Sequence, residues 1–481
     1  MSLRSHGVLA RAVLALCLLL GSAGARGDTS AAWFEAFKDR ASGHELLRFL
    51  HAMPKGGDLH NHIGGSVHPE WYYQMAMDAA KHGYRFHTKT RIQNCRVGTN
   101  EYGGDPYLLM FRTITDHDWR KLLDCERAEY TPLEDLDEAT RKAWMSSLVL
   151  DQPHEGRAEF FEAHWQRLGG LLESPQIGAE TIVRNMQAFA EEGMTYLEPQ
   201  VDLQGFRSPD GTPWTPDQVL DLYRARLAQP DAKATGMTVR MQLSVLRFTP
   251  GAEDQLRTLY ELAARHPEIV AVNMVGREDD DKGYPLRFLA TMRELRRKYS
   301  GVNLSIHAGE VDEPNFHVRD TLLLGADRIG HGVNLITDPE TMLLMRHGKQ
   351  LVEINLISNL LLEYVNDYSK HPFPEYLRFG IPVALSTDDR GMWDSTMSDE
   401  FFVAVREFDL SWEEVVQLSR NSIAYGFLPD AEKAALLTDF DRRIRAFERR
   451  FADGGLEAVA KGKPQYRGFL CRRYQVCDPD A

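Results

Sequence analysis

The 481-residue sequence lacks several features that would assign it to a specialised class of protein. It has no internal repeat and no low-complexity tract, which excludes solenoids and disordered scaffolds. After the N-terminal segment, no apolar run approaches the ~20 residues that a transmembrane helix needs. Positive charge is also scarce, because 56 lysines and arginines stand against 70 aspartates and glutamates, a net charge of −14. This balance disfavours nucleic acid and anionic membranes as partners.

Cysteine is sparse too, with five in the whole chain. Four follow the N-terminal segment, and their spacings match no zinc cluster. An even number in an exported chain favours two disulfides, for which three connectivities are open. Pairing Cys95 with Cys125 and Cys471 with Cys477 closes the smallest loops. The alternative is buried free thiols, since a chain of this size needs no covalent staples.

The N-terminus has the pattern of a cleavable signal peptide. Arg4 and Arg11 lie on the N-terminal side of an apolar run at residues 13–20, and small residues follow this run as far as Ala25. The run is too short for a permanent anchor helix, which is the alternative. We therefore expect cleavage after Ala25 and a secreted or periplasmic protein with no membrane attachment. Removing residues 1–25 deletes two arginines and no acid, which shifts the net charge from −14 to −16.

Short apolar runs alternate with amphipathic stretches from about residue 180 onward. Each run is rich in β-branched or aliphatic residues and is short enough for a buried parallel strand. With one strand near the N-terminus, the alternation predicts an α/β fold, an eight-stranded (β/α)₈ TIM barrel rather than an open sheet. The predicted strands are residues 58–63, 195–201, 238–248, 269–275, 303–307, 328–333, 351–356 and 382–386.

Residues 85–152 break this alternation and are interpreted as an insertion after the first strand. The insertion contains Cys95 and Cys125, and its composition does not choose between capping a site, forming a homodimer contact and binding another partner. Helices predicted at 410–425 and 432–451 should pack outside the barrel as C-terminal additions. Residues 26–481 are therefore expected to form a single domain.

Four potential metal ligands lie at or just beyond the ends of predicted strands, where active sites of such barrels gather. His60 and His62 are two positions apart, so both imidazoles point to one face of a strand. The pair alone is weak evidence, but His307 and Asp388 at other strand ends strengthen it. Three imidazoles and one carboxylate suit one zinc ion per chain, or iron or cobalt under other loading, with one position left for water.

Three further groups could move protons, which distinguishes a hydrolytic site from a structural one. Glu310 could donate a proton to a ring nitrogen, although a helix-capping or ion-paired role is the alternative. His331 lies between Gly330 and Gly332 and could orient the attacking water; alternatively it is a core histidine bonded to a carbonyl. Asp389 could accept a proton from the water or support Asp388.

Four motifs carry a resemblance to a known family. In order they are MPKGGDLHNH at residues 53–62, HAGE at 307–310, RIGHG at 328–332 and STDD at 386–389. Together they resemble the adenosine deaminase family of metal-dependent hydrolases. The signal peptide and the cysteine-containing insertion are similar to the secreted, growth-factor-type branch of that family.

The resemblance implies zinc-dependent hydrolysis of adenosine and 2′-deoxyadenosine to inosine and 2′-deoxyinosine plus ammonia. It implies that the zinc ligands are His60, His62, His307 and Asp388. Glu310 would protonate purine N1, while His331 and Asp389 would act on the attacking water. Gly276 would contact purine N3 through its backbone N–H, although a plain turn residue is the alternative. The substrate-binding residues are then Gly276 and Asp389, and the partner is a small purine nucleoside.

One position departs from the family pattern. The compact branch has an acidic residue near the sugar two positions after the second metal histidine, where this chain has Gly64. Sugar recognition would then come from elsewhere, with Glu198, Asp202 or the insertion as candidates. Deamination of adenine or another N6-substituted purine is therefore the alternative. A different metal-dependent hydrolase on the same barrel and a binding protein with a vestigial site are further alternatives, and AMP is disfavoured because no basic cluster adjoins the motifs.

Overall fold

The computed structural model describes residues 32–93, 108–460 and 462–480. The predicted signal peptide and Cys95 lie outside these residues. Strands of the described part are β1 Gly57–His62, β2 Phe86–Lys89, β3 Thr113–Thr115, β4 Tyr130–Pro132, β5 Tyr196–Val201, β6 Thr238–Val239, β7 Met241–Leu246, β8 Ile269–Val275, β9 Asn303–Ala308, β10 Arg328–His331, β11 Leu351–Ile354 and β12 Val383–Leu385.

Eight parallel strands form a nearly closed barrel in the order β1-β5-β7-β8-β9-β10-β11-β12, which confirms the predicted (β/α)₈ fold. The first and last strands meet at a parallel bridge between Asn61 and Asp388. There, Asp388 N donates to His60 O at 2.9 Å, and His62 N donates to Asp388 O at 3.2 Å. Closure therefore brings residues that are more than 300 positions apart in sequence to one end of the barrel.

Helices surround the barrel and cover it with apolar side chains. Several begin at Ser or Thr caps that accept a hydrogen bond from the backbone N–H three residues on, as at Ser42, Thr215 and Ser411. The α-helices are Ala32–Lys38, Gly43–Ala52, Pro69–Ala79, Asp116–Lys121, Asp124–Arg127, Glu138–Ser146, Arg157–Glu159, Trp165–Leu172, Pro175–Glu191, Pro216–Leu227, Pro230–Ala234, Ala252–Arg265, Leu289–Lys298, His317–Leu324, Pro339–His347, Leu356–Leu361, Phe373–Phe379, Arg390–Trp393, Met397–Phe408, Trp412–Ala424, Asp430–Val459 and Gly468–Tyr474.

The segment between β1 and β5 contains a second, smaller sheet that is not part of the barrel. Its strands form a small antiparallel sheet in the order β3-β2-β4, and a π-helical turn, Phe160–His164, leads into the next helix. Within the described residues, no helix is both long and apolar enough to cross a bilayer.

The C-terminal disulfide prediction is confirmed, since Cys471 and Cys477 are bonded. Cys125 is also disulfide-bonded, and its predicted partner Cys95 falls outside the described residues. The prediction of one strand at 238–248 was wrong in detail, because the chain is interrupted at Arg240 and β6 pairs only with β5.

Candidate active site

The four predicted metal ligands converge at the barrel end where the strands finish. Ligand atoms of His60, His62, His307 and Asp388 all lie within 4.8 Å of one another. Oδ1 of Asp388 is 3.3 Å from His60 Nε2 and 3.2 Å from His62 Nε2, and Nε2 of His62 is 3.1 Å from Nε2 of His307. Three strands thus supply one cluster of three nitrogens and one oxygen.

Hydrogen bonds on the far side of two imidazoles fix which nitrogen faces the cluster. Nδ1 of His60 donates to Glu353 Oε2 at 2.9 Å, and Nδ1 of His307 donates to Asn273 Oδ1 at 2.9 Å. The Nε2 atom of each of the two rings is therefore the one that faces the shared point. Nε2 of His60 and Oδ1 of Asp388 are buried, and among the described residues they have no hydrogen-bond partner outside the cluster. This donor set fits a zinc-type ion.

The charges around the cluster favour a cation at its centre. Burial lowers the pKa of His60, but hydrogen bonds to Asp388 and Glu353 outweigh it and raise that pKa to about 10. Burial and the neighbouring His60 hold the pKa of His307 well below its usual range. Burial raises the pKa of Asp388, yet hydrogen bonds from His60 and His62 hold it well below its usual range. An ionised Asp388 and a neutral His307 are the states that metal ligation requires.

The three predicted proton-transfer residues lie against this cluster. Oε1 of Glu310 is 3.6 Å from Nε2 of His331, whose Nδ1 hydrogen-bonds Asn359 Oδ1 at 2.9 Å. Burial and the charge of Asp388 raise the pKa values of Glu310 and Asp389 well above the usual carboxyl range. Burial lowers the pKa of His331 to about 4. These shifts favour the protonated form of Glu310, as a proton donor requires, and the neutral form of His331.

The backbone at these positions adopts uncommon conformations. His331 and Asp388 have φ values of 62° and 54°, in the left-handed region that non-glycine residues rarely occupy. Gly330 must lack a side chain, since an added Cβ would lie 2.7 Å from His60 Cε1. A Cβ on Gly65 would lie 1.6 Å from Oδ1 of Asp389. Close packing of backbone against functional side chains thus explains both glycines.

A cavity of about 1260 Å³ opens over the cluster and is lined by His62, Glu310 and Asp389. Trp165 contributes to its wall, as does Gly276 at the end of β8. Gly276 has a φ of 96°, and an added Cβ would lie 2.7 Å from Leu246 Cδ1. The position therefore requires glycine for the turn itself, and it also faces the cavity.

Of the two side chains named as sugar-binding candidates, only one lines the cavity. Glu198 is fully buried and pairs with Arg328, whose Nη2 lies 2.6 Å from Glu198 Oε2; it lies inside the barrel and that candidate was wrong. Asp202 does line the cavity. Beside Gly64, the space is closed by an aromatic ring, because an added Cβ would lie 3.2 Å from Trp165 Cζ3.

Sequence reasoning missed the residues that orient the imidazoles: Glu353, Asn273 and Asn359. Glu353 and Asn273 are polar residues inside otherwise apolar barrel strands, β11 and β8. Such an isolated polar residue is costly to bury without a partner. That pattern was a usable signal for both.

Comparisons with known proteins agree with these motifs. The family model described as adenosine deaminase matches residues 134–443. An adenosine deaminase from Vibrio cholerae is 32% identical over 196 residues, which are 40% of this chain and 57% of that protein. The match thus spans little more than half of that relative. An adenosine deaminase from Lutzomyia longipalpis is 24% identical over 430 residues, covering 85% of this chain and 80% of the relative.

Solved structures of low identity share the fold. An adenine deaminase from Arthrobacter aurescens has a TM-score of 0.59 at 20% identity and covers 82% of this chain and 99% of its own. An apo N6-methyl-AMP deaminase from Arabidopsis thaliana has a TM-score of 0.59 at 19% identity, covering 82% and 98%. An amidohydrolase from Burkholderia ambifaria with bound zinc has a TM-score of 0.59 at 18% identity, covering 84% and 95%. Since the family model matches more than half of its residues, the chain belongs to the adenosine deaminase family.

Proposed function

We propose that this protein is a zinc-dependent hydrolase that converts adenosine and 2′-deoxyadenosine to inosine and 2′-deoxyinosine with release of ammonia. The observation that carries the proposal is the meeting of a complete ligand set with Glu310, His331 and Asp389 in one buried site. Family membership supports a purine substrate, and the Burkholderia ambifaria structure with bound zinc supports that metal.

One ion per chain would be held by His60, His62, His307 and Asp388, and would supply Lewis acidity that makes a water nucleophilic at neutral pH. Glu310, kept protonated, donates its proton to purine N1 as C6 is attacked. Asp389, whose ionised form a bound cation favours, would accept a proton from the attacking water, and His331 would orient that water through Nε2. The backbone N–H of Gly276 contacts purine N3.

The charge of the cavity wall favours a nucleoside over a nucleotide. Three basic side chains of the wall are each paired with a carboxylate: Lys89 with Glu129, Lys121 with Asp118, and Arg277 with Asp279. Paired cations bind a phosphate poorly, because the carboxylates already neutralise them. Adenine and N6-substituted purines remain the second candidates, since the structural relatives include an adenine deaminase and an N6-methyl-AMP deaminase.

We also propose that the mature protein is secreted or periplasmic, beginning at Arg26 after signal cleavage. The signal-peptide pattern supports this location, and the bond between Cys471 and Cys477 supports an oxidising compartment. N-terminal sequencing of the exported protein tests it, and an intact Met1 on the exported chain would contradict cleavage.

The activity is tested by incubating zinc-loaded protein with adenosine, 2′-deoxyadenosine, adenine and AMP and following the ultraviolet change of C6 deamination. We expect conversion of both nucleosides, loss of activity with a chelator, and recovery with zinc. Conversion of adenine instead would favour the second candidate. No conversion of any of the four would refute purine deamination as stated here.

Glu310→Gln separates the acid role from metal binding. We expect one zinc per chain to be retained and turnover to fall by at least about 100-fold, the usual contribution of general acid catalysis. Glu313→Gln is the matched control, since Glu313 is an exposed acid in the same loop. Near-normal turnover of Glu310→Gln would contradict the assignment.

A further inference from the structure

Two polar side chains on the cavity wall face the site without satisfying their hydrogen-bonding capacity within the protein. Gln200 lies on β5, and Asp202 comes directly after the last residue of that strand. Both line the cavity. Gln200 is the register partner of His62, which places this part of the wall next to the metal-ligand cluster.

Only one of the two polar atoms of the Gln200 side-chain amide has a hydrogen-bond partner among the described residues. Its Oε1 accepts from Ser244 Oγ at 2.8 Å, while Nε2 is buried and has no partner among the described residues. The side chain is only 4% exposed, so bulk water does not serve the free amide atom. A buried polar atom left in this state points to a ligand atom that pairs with it.

Asp202 offers a carboxylate that no described side chain or backbone N–H contacts. Its backbone oxygen accepts from Tyr223 Oη at 3.1 Å, which holds the end of β5 in place. The carboxylate is exposed to the open cavity, yet crowding by the surrounding walls raises the pKa of Asp202 to about 6. The acid therefore stays largely ionised at neutral pH and is available as an acceptor.

We propose that Gln200 and Asp202 form a subsite for the vicinal hydroxyl groups of a ribonucleoside substrate. A hydroxyl both donates and accepts, so one can donate to Asp202 while its neighbour pairs with the Gln200 amide in either amide orientation. A cation would leave the amide N–H unpaired, and a phosphate would be repelled by Asp202. The subsite rests on the proposed deaminase function and adds that the ribose diol is recognised.

The position of β5 agrees with this assignment. The proposed contacts of the purine are Gly276 after β8, Glu310 after β9 and Asp389 after β12. In the barrel, β5 lies between β1 and β7, on the arc between the strands of His62 and Gly276. A sugar attached to the purine can extend over that arc, where the two side chains stand about 6.6 Å apart along the strand.

The test compares kcat/KM for adenosine, 2′-deoxyadenosine, 3′-deoxyadenosine and 5′-deoxyadenosine. In the unaltered enzyme we expect adenosine and the 5′-deoxy compound to exceed the 2′- and 3′-deoxy compounds by about 10- to 100-fold, the effect of one hydrogen bond to a charged group. Asp202→Asn should lower kcat/KM for adenosine by a similar factor, and it should change by less than about threefold the deoxy substrate that lacks the hydroxyl paired with Asp202. Asp210→Asn is the matched control, because Asp210 lies in the loop after β5 outside the cavity lining.

Equal losses on all four substrates, or no loss, would overturn the subsite. A binding experiment separates failure of the subsite from failure of the proposed function. It compares the equilibrium binding of purine riboside, which has no amino group to lose, with that of its 2′,3′-dideoxy form. Suppose that the enzyme turns over no purine but binds the riboside at least about tenfold more tightly than the dideoxy form. If Asp202→Asn then abolishes this preference, the subsite stands and only the activity is refuted. Equal binding of the two ligands, or binding of neither, would overturn it.

Discussion

The hydrogen bond between His60 and Glu353 should control how tightly the site holds zinc. Nδ1 of His60 donates to Glu353 Oε2 at 2.9 Å, and both side chains are fully buried. Glu353→Gln preserves the size of the side chain and removes its charge. We expect weaker zinc binding, because a carboxylate on Nδ1 raises the basicity of Nε2 and holds the ring in position.

The expected loss can be estimated from the contacts of Glu353. Losing an outer hydrogen-bond partner of a ligand typically weakens metal binding by about 10- to 100-fold, or about 1.4–2.7 kcal/mol. The upper end applies here, since no bulk water reaches a fully buried pair to replace the carboxylate. Glu353 also accepts from Arg328 Nε at 2.5 Å and Ser305 Oγ at 2.8 Å. The metal-free protein should therefore lose about 1–3 kcal/mol of unfolding free energy as well, although Arg328 keeps Glu198 as its partner.

The assay is competition for zinc with a chelator of known affinity, combined with chemical denaturation with and without zinc. Asn273→Asp gives the reciprocal test, because it places a carboxylate on Nδ1 of His307 and should tighten zinc binding by up to about tenfold. Glu400→Gln is the control for losing a buried carboxyl, since Glu400 accepts from the backbone of Leu356 and Ile357 and touches no ligand histidine. A zinc Kd for Glu353→Gln within about twofold of the parent, with the fold intact, would refute the reasoning.

Three further predictions follow from other contacts. Gly65→Ala would place a methyl group 1.6 Å from Oδ1 of Asp389, so turnover should fall by about 100-fold in steady-state kinetics; Gly64→Ala, whose carbon lies 3.2 Å from the Trp165 ring, should be much milder. Burial lowers the pKa of His317, but hydrogen bonds to Glu278 and Asp281 outweigh it and raise that pKa above the unfolded value. The stabilisation is then fully present below about pH 6.5 and is lost as pH rises through the raised pKa. In denaturation experiments the unfolding free energy of His317→Gln should therefore be closest to that of the parent at pH 8. An equal difference in unfolding free energy at pH 5.5 and pH 8 would contradict this. Replacing Cys471 and Cys477 with serine removes a short cross-link of sequence separation 6 and should lower unfolding free energy by about 2 kcal/mol with activity retained; unchanged stability would show that the tail contributes nothing.

Elements with a strong local pattern were predicted almost to their bounds. The strand predicted at 269–275 matches Ile269–Val275, and the helix predicted at 410–425 matches Trp412–Ala424 within two residues, because an apolar run and an amphipathic period are both readable along the chain. The helix Met397–Phe408 was not predicted. Ten of its residues are buried, including Asp399 and Glu400, so its burial does not follow the polar and apolar pattern on which amphipathic prediction depends.

The sequence by itself determined the motifs, the alternation of strands and helices and hence the barrel, and the family to which these belong. It could also name His60, His62, His307 and Asp388 together, since strand ends of a closed barrel meet at one face. The pairing of His60 with Glu353 and of His307 with Asn273 was decided only by the tertiary structure. The same holds for the removal of Glu198 into the barrel interior and the exposure of Asp202 to the cavity. Those outcomes depend on register between strands far apart in sequence and on the direction of each side chain, which local periodicity does not encode.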